Sequence, residues 1–267
     1  MKSRIEQTFA ALKQRDETAL IPFITAGDPD LEKTLQLVLT LEKAGADLIE
    51  LGMPFSDPMA DGPTIQASSE RALAGGTTLE QVLGLVSSVR QKSQIPLVLM
   101  GYYNPIFRYG AEKFATAAAA AGVDALLLVD LPPEEVGEVS EAMQKAGIAM
   151  ITLLAPTTPP ERMARLAACA EGYLYYVSMT GVTGAQKISP TDIKSAVENL
   201  KGLSRVPVAV GFGITTEDDA KAVGSFADGV VVGSALVKII EEYGQEQNLL
   251  TSVEDYISGL KKGLLSI

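Results

Sequence analysis

The stretch Ala44-Gly45-Ala46-Asp47-Leu48-Ile49-Glu50-Leu51, AGADLIEL, decides how the chain folds. Before it, from Leu31 to Ala44, apolar residues recur at helical spacing. Gly45 then stops the helix, and Leu48 to Leu51 is a short apolar run suited to a strand buried on both faces. Similar punctuation returns at Ala121-Gly122-Val123-Asp124, Ala146-Gly147-Ile148 and Ala227-Asp228-Gly229. Each time a helix ends at Gly or Ala and a buried strand begins within a few residues.

Working outward from these junctions gives eight strands: Leu20 to Thr25, Leu48 to Leu51, Leu97 to Met100, Ala125 to Val129, Ala149 to Leu153, Tyr173 to Val177, Val208 to Val210 and Gly229 to Val232. Amphipathic segments lie between them, among them Leu79 to Val89, Phe114 to Ala121, Glu134 to Ala146, Pro160 to Ala168, Thr191 to Leu200 and Glu217 to Val223. Alternating helices and apolar strands indicate a parallel sheet covered by helices. Eight such units predict an α/β fold of the (β/α)8 TIM-barrel type, with an open doubly wound sheet as the other architecture. Ile5, Phe9 and Leu12 add an N-terminal amphipathic helix. The 267 residues, 47% hydrophobic and without a break in composition, are expected to form a single barrel domain over residues 1–267.

With 22 basic against 33 acidic residues and no basic run, the chain offers nothing to neutralise a nucleic-acid backbone or an anionic membrane. Neither nucleic acid nor membrane is an expected partner. A lone cysteine, Cys169, permits no intrachain disulfide and reads as a buried thiol among apolar neighbours. No signal-like or membrane-spanning run is present, so the expected location is the cytoplasm, or a plastid stroma for a mature plastid protein. Histidine is absent, which removes the commonest general base and metal ligand, and no metal site is expected.

In a barrel, chemistry sits in the loops after the strands. Glu50, near the end of its strand, is therefore predicted to enter the apolar interior at the barrel mouth, where desolvation raises a carboxyl pKa and suits it to acid-base work. The structural alternative is a buried glutamate paired with a cation or the backbone. The following loop, MPFSDPMADGP, places Asp57 and Asp61 on a segment stiffened by three prolines. Asp61 has two readings, a site carboxylate or a cap for the helix through Ile65 to Leu73, and Asp57-Pro58 reads equally as a turn.

Late glycine loops, Gly181-Val182-Thr183-Gly184, Gly211-Phe212-Gly213 and Gly233-Ser234, follow strands six, seven and eight. Backbone N–H groups and helix N-termini there are suited to a phosphate without any basic side chain. The loop from Ser178 to Ser189 is expected to act as a lid. Tyr173 and Tyr175 share one strand face and read as core residues with satisfied hydroxyls.

Taken in order, PFITAGDPD, ELGMPFSDPMADGPTIQ, LMGYYNPIF, SMTGVTGA, VGFGIT and VGSALVKIIE resemble the tryptophan synthase alpha subunit family from about residue 20 to residue 241. The resemblance implies a barrel lyase that cleaves indole-3-glycerol phosphate to indole and glyceraldehyde 3-phosphate. It implies catalytic roles for Glu50, Asp61 and Tyr175, phosphate binding by Gly184, Gly213, Gly233 and Ser234, and an indole pocket of Phe23, Met100, Leu127, Val129 and Phe212. It further implies a lid carrying Gly181 and Thr183, and a loop with Asp57 and Pro58 that meets a beta subunit in an αββα heterotetramer. No cofactor is implied for this chain; pyridoxal phosphate belongs to the beta subunit. The competing barrel chemistries fit less well: a metal-dependent epimerase would want histidine ligands, and indole-glycerol phosphate synthase a strand-end lysine, which none of the eight strands contains.

Overall fold

A computed structural model describes residues 3–177, 190–211 and 213–267. Among these residues, nine parallel strands run as β1 (Ala19–Thr25), β2 (Ile49–Gly52), β3 (Leu97–Gly101), β4 (Ala125–Leu128), β5 (Ala149–Met150), β6 (Thr152–Leu154), β7 (Leu174–Val177), β8 (Val208–Gly211) and β9 (Gly229–Val232). Twelve helices accompany them among the described residues: α1 (Arg4–Gln14), α2 (Leu31–Lys43), α3 (Pro63–Ala74), α4 (Leu79–Arg90), α5 (Tyr103–Tyr109), α6 (Ala111–Ala121), α7 (Gly137–Ala146), α8 (Pro160–Ala168), α9 (Pro190–Leu203), α10 (Glu217–Gly224), α11 (Ser234–Tyr243) and α12 (Leu249–Leu265).

The sheet order β5-β4-β3-β2-β1-β9-β8-β7-β6 brings its two ends together in the chain, since only Ile151 separates β5 from β6. The fifth strand of the sequence reading is thus two pieces. Its first half bonds to β4 and its second to β7, while the Ile151 N–H still reaches Leu126 O at 2.9 Å. The stagger that comes with strand tilt in a barrel accounts for the division, because the two neighbours overlap opposite ends of the run.

Side-chain alternation splits the core into two shells. Ile49 and Leu51 face outward into the helix layer, whereas Leu48 belongs to the barrel interior with Ile21, Val98, Ala125, Leu127, Ile151, Tyr173, Ala209 and Val231. Glu50 is on that inward face by the same alternation. Helix α1 starts in a capping box, with Ser3 accepting from the Glu6 N–H and Glu6 from the Ser3 N–H. Its buried stripe of Ile5, Phe9 and Leu12 joins the interior cluster as a plug.

The recurring acidic punctuation has a mechanical role. Asp47 Oδ2 accepts from the Leu20 N–H at 2.8 Å, Asp124 Oδ2 from the Leu97 N–H at 2.9 Å, Glu171 Oε2 from the Met150 N–H at 3.1 Å, and Asp228 Oδ2 from the Val208 N–H at 2.9 Å. Each aspartate stands before one strand and ties the start of the preceding one, and Glu171, before β7, ties β5. Three also hold cations: Lys261 on Asp47, Lys201 on Asp228, and both Arg90 and Arg4 on Asp124.

Cys169 departs from expectation by being exposed. It follows the last turn of α8 and falls off the buried stripe of Met163, Leu166 and Ala167. Asp124→Ala should lower unfolding free energy by about 3 kcal/mol, because it strands a strand N–H and a part-buried guanidinium. Urea denaturation monitored by circular dichroism checks this, and a loss below about 1 kcal/mol would contradict it.

Candidate active site

Glu50 is fully buried, with Tyr173 as its partner: the tyrosine hydroxyl donates to Glu50 Oε1 at 2.7 Å. Glu50 Oε2 has no hydrogen-bond partner among the described residues, and no cation pairs with the carboxylate there. Desolvation pushes its pKa up to about 8, against the smaller opposing effect of the Tyr173 hydrogen bond. The group therefore holds a proton at neutral pH. Burial also raises the pKa values of Tyr173 and Tyr175, with the Glu50 charge adding to both, so both phenols are neutral donors.

Asp61 does not cap α3. The N-cap is Gly62, without a side-chain cap, and Pro63 begins the helix. The Asp61 carboxylate instead accepts from the Tyr102 hydroxyl at 3.0 Å. Burial lifts its pKa to about 6, partly opposed by that hydrogen bond. Gln66 steadies the same loop through its side-chain amide, which donates to Asp61 O at 2.9 Å.

Both carboxylates line one cavity of about 220 Å³, together with Phe23, Met100, Tyr175, Gly213, Gly233 and Ser234. The walls come from the ends of several strands, and no lysine or arginine appears among the described lining residues. Gly211 admits the Tyr175 ring, since a Cβ there would sit 2.3 Å from the phenolic oxygen. Val129 lines an adjoining crevice with Phe23, Met100, Asp61 and Tyr102, while Leu127 is fully buried in the interior cluster against which Met100 and Val129 pack. Asp57 is exposed and Pro58 part-buried on the loop before Asp61. Gly181, Thr183, Gly184 and Phe212, with the expected lid, lie outside the described residues.

The two helices after β8 and β9 differ at their starts. Helix α10 satisfies its own N-terminus with a Thr216–Asp219 capping box and carries Glu217, Asp218 and Asp219 in its first turn. Helix α11 opens at Gly233 without a side-chain cap or a first-turn acid. Its first N–H groups lack intrahelical acceptors and carry the positive end of the helix dipole. That makes α11, with Gly213 opposite, the suited anion cradle. Arg71 fixes α11 relative to α3, gripping Asp28 with two bonds of 2.8 Å and Glu241 with a third of 2.8 Å.

Sequence reading named neither Tyr173 nor Tyr102 as a site residue. Tyr173 gave one usable signal, its place on the same strand face as Tyr175. Tyr102 gave only its position directly after a strand.

The family model for the tryptophan synthase alpha chain matches residues 9–264. The tryptophan synthase alpha chain of Citrifermentans bemidjiense is 57% identical over 263 residues, covering 98% of each chain. That of Geobacter sulfurreducens is 52% identical over 262 residues, covering 98% of this chain and 99% of its own. Among solved structures, the alpha subunit from Legionella pneumophila superposes with a TM-score of 0.93 at 43% identity over 100% of both chains. A tryptophan synthase structure from Mycobacterium tuberculosis in its aminoacrylate-bound form gives a TM-score of 0.88 at 32% identity, covering 98% of this chain and 100% of that one. With the barrel, the paired carboxylates and these relatives in agreement, the chain belongs to the tryptophan synthase alpha chain family.

Proposed function

We propose that Glu50 and Asp61 carry out the reaction of this family, the retro-aldol cleavage of indole-3-glycerol phosphate to indole and glyceraldehyde 3-phosphate. The observation that carries the assignment is a buried carboxyl with one oxygen unpartnered among the described residues, on a cavity that a second carboxylate shares. The substrate phosphate sits at the start of α11, against Gly233, Ser234 and Gly213, and the family resemblance assigns Gly184 to it as well. The indole ring lies among Phe23, Met100, Leu127 and Val129, and the family resemblance assigns Phe212 to the same pocket. Tyr175 borders the reacting carbons, and the family resemblance assigns Gly181 and Thr183 to a lid.

Protonated Glu50 delivers its proton to the ring carbon that bears the glycerol chain. That carbon becomes tetrahedral and positive charge develops at the ring nitrogen, where ionised Asp61 stabilises it. Glu50, now a carboxylate, takes the proton of the glycerol hydroxyl next to the ring. The hydroxyl-bearing carbon becomes the aldehyde, the carbon–carbon bond breaks, and its electrons restore the indole. Glu50 ends the cycle protonated. No cofactor takes part in this scheme; pyridoxal phosphate is assigned to the beta subunit.

The rigid loop with Asp57 and Pro58 is assigned to contact with a beta subunit in an αββα assembly. What supports this is apolar exposure on the segments that follow β2 and β3: Met59 is 78% and Phe107, in α5, 65% exposed. Among the described residues, no helix is long and apolar enough to cross a membrane. A cytoplasmic location and one barrel domain over the whole chain fit this proposal.

Purified chain should release indole slowly alone and faster with beta subunit, and release in neither condition would reject the lyase reading. The required forms, Glu50 protonated and Asp61 ionised, coexist between pKa values of about 6 and 8. The kcat/KM profile should therefore be bell-shaped with limbs near those values, and a profile flat across both would contradict the assignment. Glu50→Gln should lower indole release by at least about hundredfold while phosphate-ligand affinity stays within about tenfold.

The same substitution has a signature in stability. With its pKa at about 8 in the fold against an ordinary 4.5, Glu50 is bound to its proton more tightly in the native than in the unfolded chain. Wild-type stability is then unimpaired by this group below pH 4.5 and is lost as pH rises through 8. Glu50→Gln should match wild type at low pH and exceed it at pH 9 by on the order of a few kcal/mol. Thermal melts at the two pH values check this; equal stability at pH 9 would contradict it.

A further inference from the structure

One buried polar group beside the cavity has no place in the reaction scheme. Tyr102 directly follows β3 and is 3% exposed. Its hydroxyl donates to Asp61 Oδ2 at 3.0 Å and accepts the Ala60 N–H at 3.0 Å. Its ring lies 5.2 Å, centroid to centroid, from that of Phe55. These contacts reach the β2–α3 loop at an aromatic ring, a main-chain amide and a carboxylate. A plain core tyrosine would need only one acceptor for its hydroxyl. This one closes a bridge between a backbone donor and the carboxylate of the next residue, fixing main chain and side chain together.

We propose that Tyr102 is the positioning residue for Asp61: through this bridge it holds one carboxylate oxygen and leaves the other to meet the ring nitrogen of the substrate. The inference rests on the role proposed above for Asp61. Among the described residues, the titratable groups facing Asp61 are Glu50 of β2, Tyr175 of β7 and Tyr102 itself, and no lysine or arginine lines the cavity or its crevice there. In such surroundings a hydroxyl donor is what favours the ionised carboxylate against burial. Phe55 belongs to the same loop as Asp57 and Pro58, so the ring contact also ties Asp61 to the segment assigned to the partner.

Tyr102→Phe keeps the ring and deletes the hydroxyl. Indole release should fall about tenfold to hundredfold in kcat with KM within about threefold. The Asp61 carboxyl carbon, followed by NMR in aspartate-labelled protein and assigned by its absence in Asp61→Asn, should titrate about one pH unit higher than in wild type. The acid limb of the rate profile should move with it. Removing the donor weakens the ionised form, so an upward move is the only direction the proposal allows. An unmoved Asp61 titration overturns it whether or not the rate falls, because lost rate alone is what damaged packing would give. A wild-type chain that releases no indole would count against the lyase reading instead, and the NMR titration would still decide whether Tyr102 governs Asp61.

Discussion

The hydrogen bond from Tyr173 to Glu50 spans the inside of the barrel, from β2 to the chain entering β7. It is the one hydrogen bond that the described interior gives this fully buried carboxyl: Phe23 and Tyr175 share its cavity wall, and the rest of the inner cluster is largely aliphatic. A single neutral donor is far less than water supplies, so the proton stays on. Barrel geometry is what makes this environment: strand alternation forces residue 50 inward, and the surrounding strands exclude solvent. A buried, incompletely satisfied carboxyl is costly to the fold, and its location at the cavity shared with Asp61 is consistent with a functional origin of that cost.

The two ends of the barrel treat carboxylates in opposite ways. At the strand starts, Asp47, Asp124 and Asp228 each receive a backbone N–H and a cation. At the strand ends, Glu50 and Asp61 receive a tyrosine hydroxyl each. Cations and strand amides tie the first group into the frame, whereas burial beside a single phenol leaves the second group with raised pKa values on either side of neutrality. The proposed anion cradle follows the same economy of charge, since α11 offers backbone amides while Asp219 of α10 is absorbed in its own cap. A net charge of −11 is thus compatible with a phosphorylated ligand.

Local patterning made the strands, most helices and the inward course of Glu50 legible, because alternation and glycine stops act over a few residues. The sequence reading did not place α5, which is short and carries Pro105 in its first turn. It also passed over α12, although Leu249, Val253, Ile257, Leu260 and Leu264 mark its buried stripe. The division of the fifth strand depends on the stagger of both neighbours and leaves no local trace. The partners of the two carboxylates were hidden for a similar reason: Tyr173 stands 123 residues from Glu50 and Tyr102 41 residues from Asp61. A strand tyrosine reads the same whether its hydroxyl meets a carbonyl or a carboxyl. The Asp61-Gly62-Pro63 run pointed equally to a cap and to a site, and only the orientation of the carboxylate toward Tyr102 separates them.

The protonation state of Glu50 at neutral pH is the most direct test of this view of the site. Infrared difference spectra between wild type and Glu50→Gln isolate its carboxyl stretch. A protonated carboxyl band present at neutral pH and lost with a midpoint of about 8 is the predicted result. A carboxylate already formed at the pH of an ordinary glutamate, with no protonated band at neutrality, would contradict it.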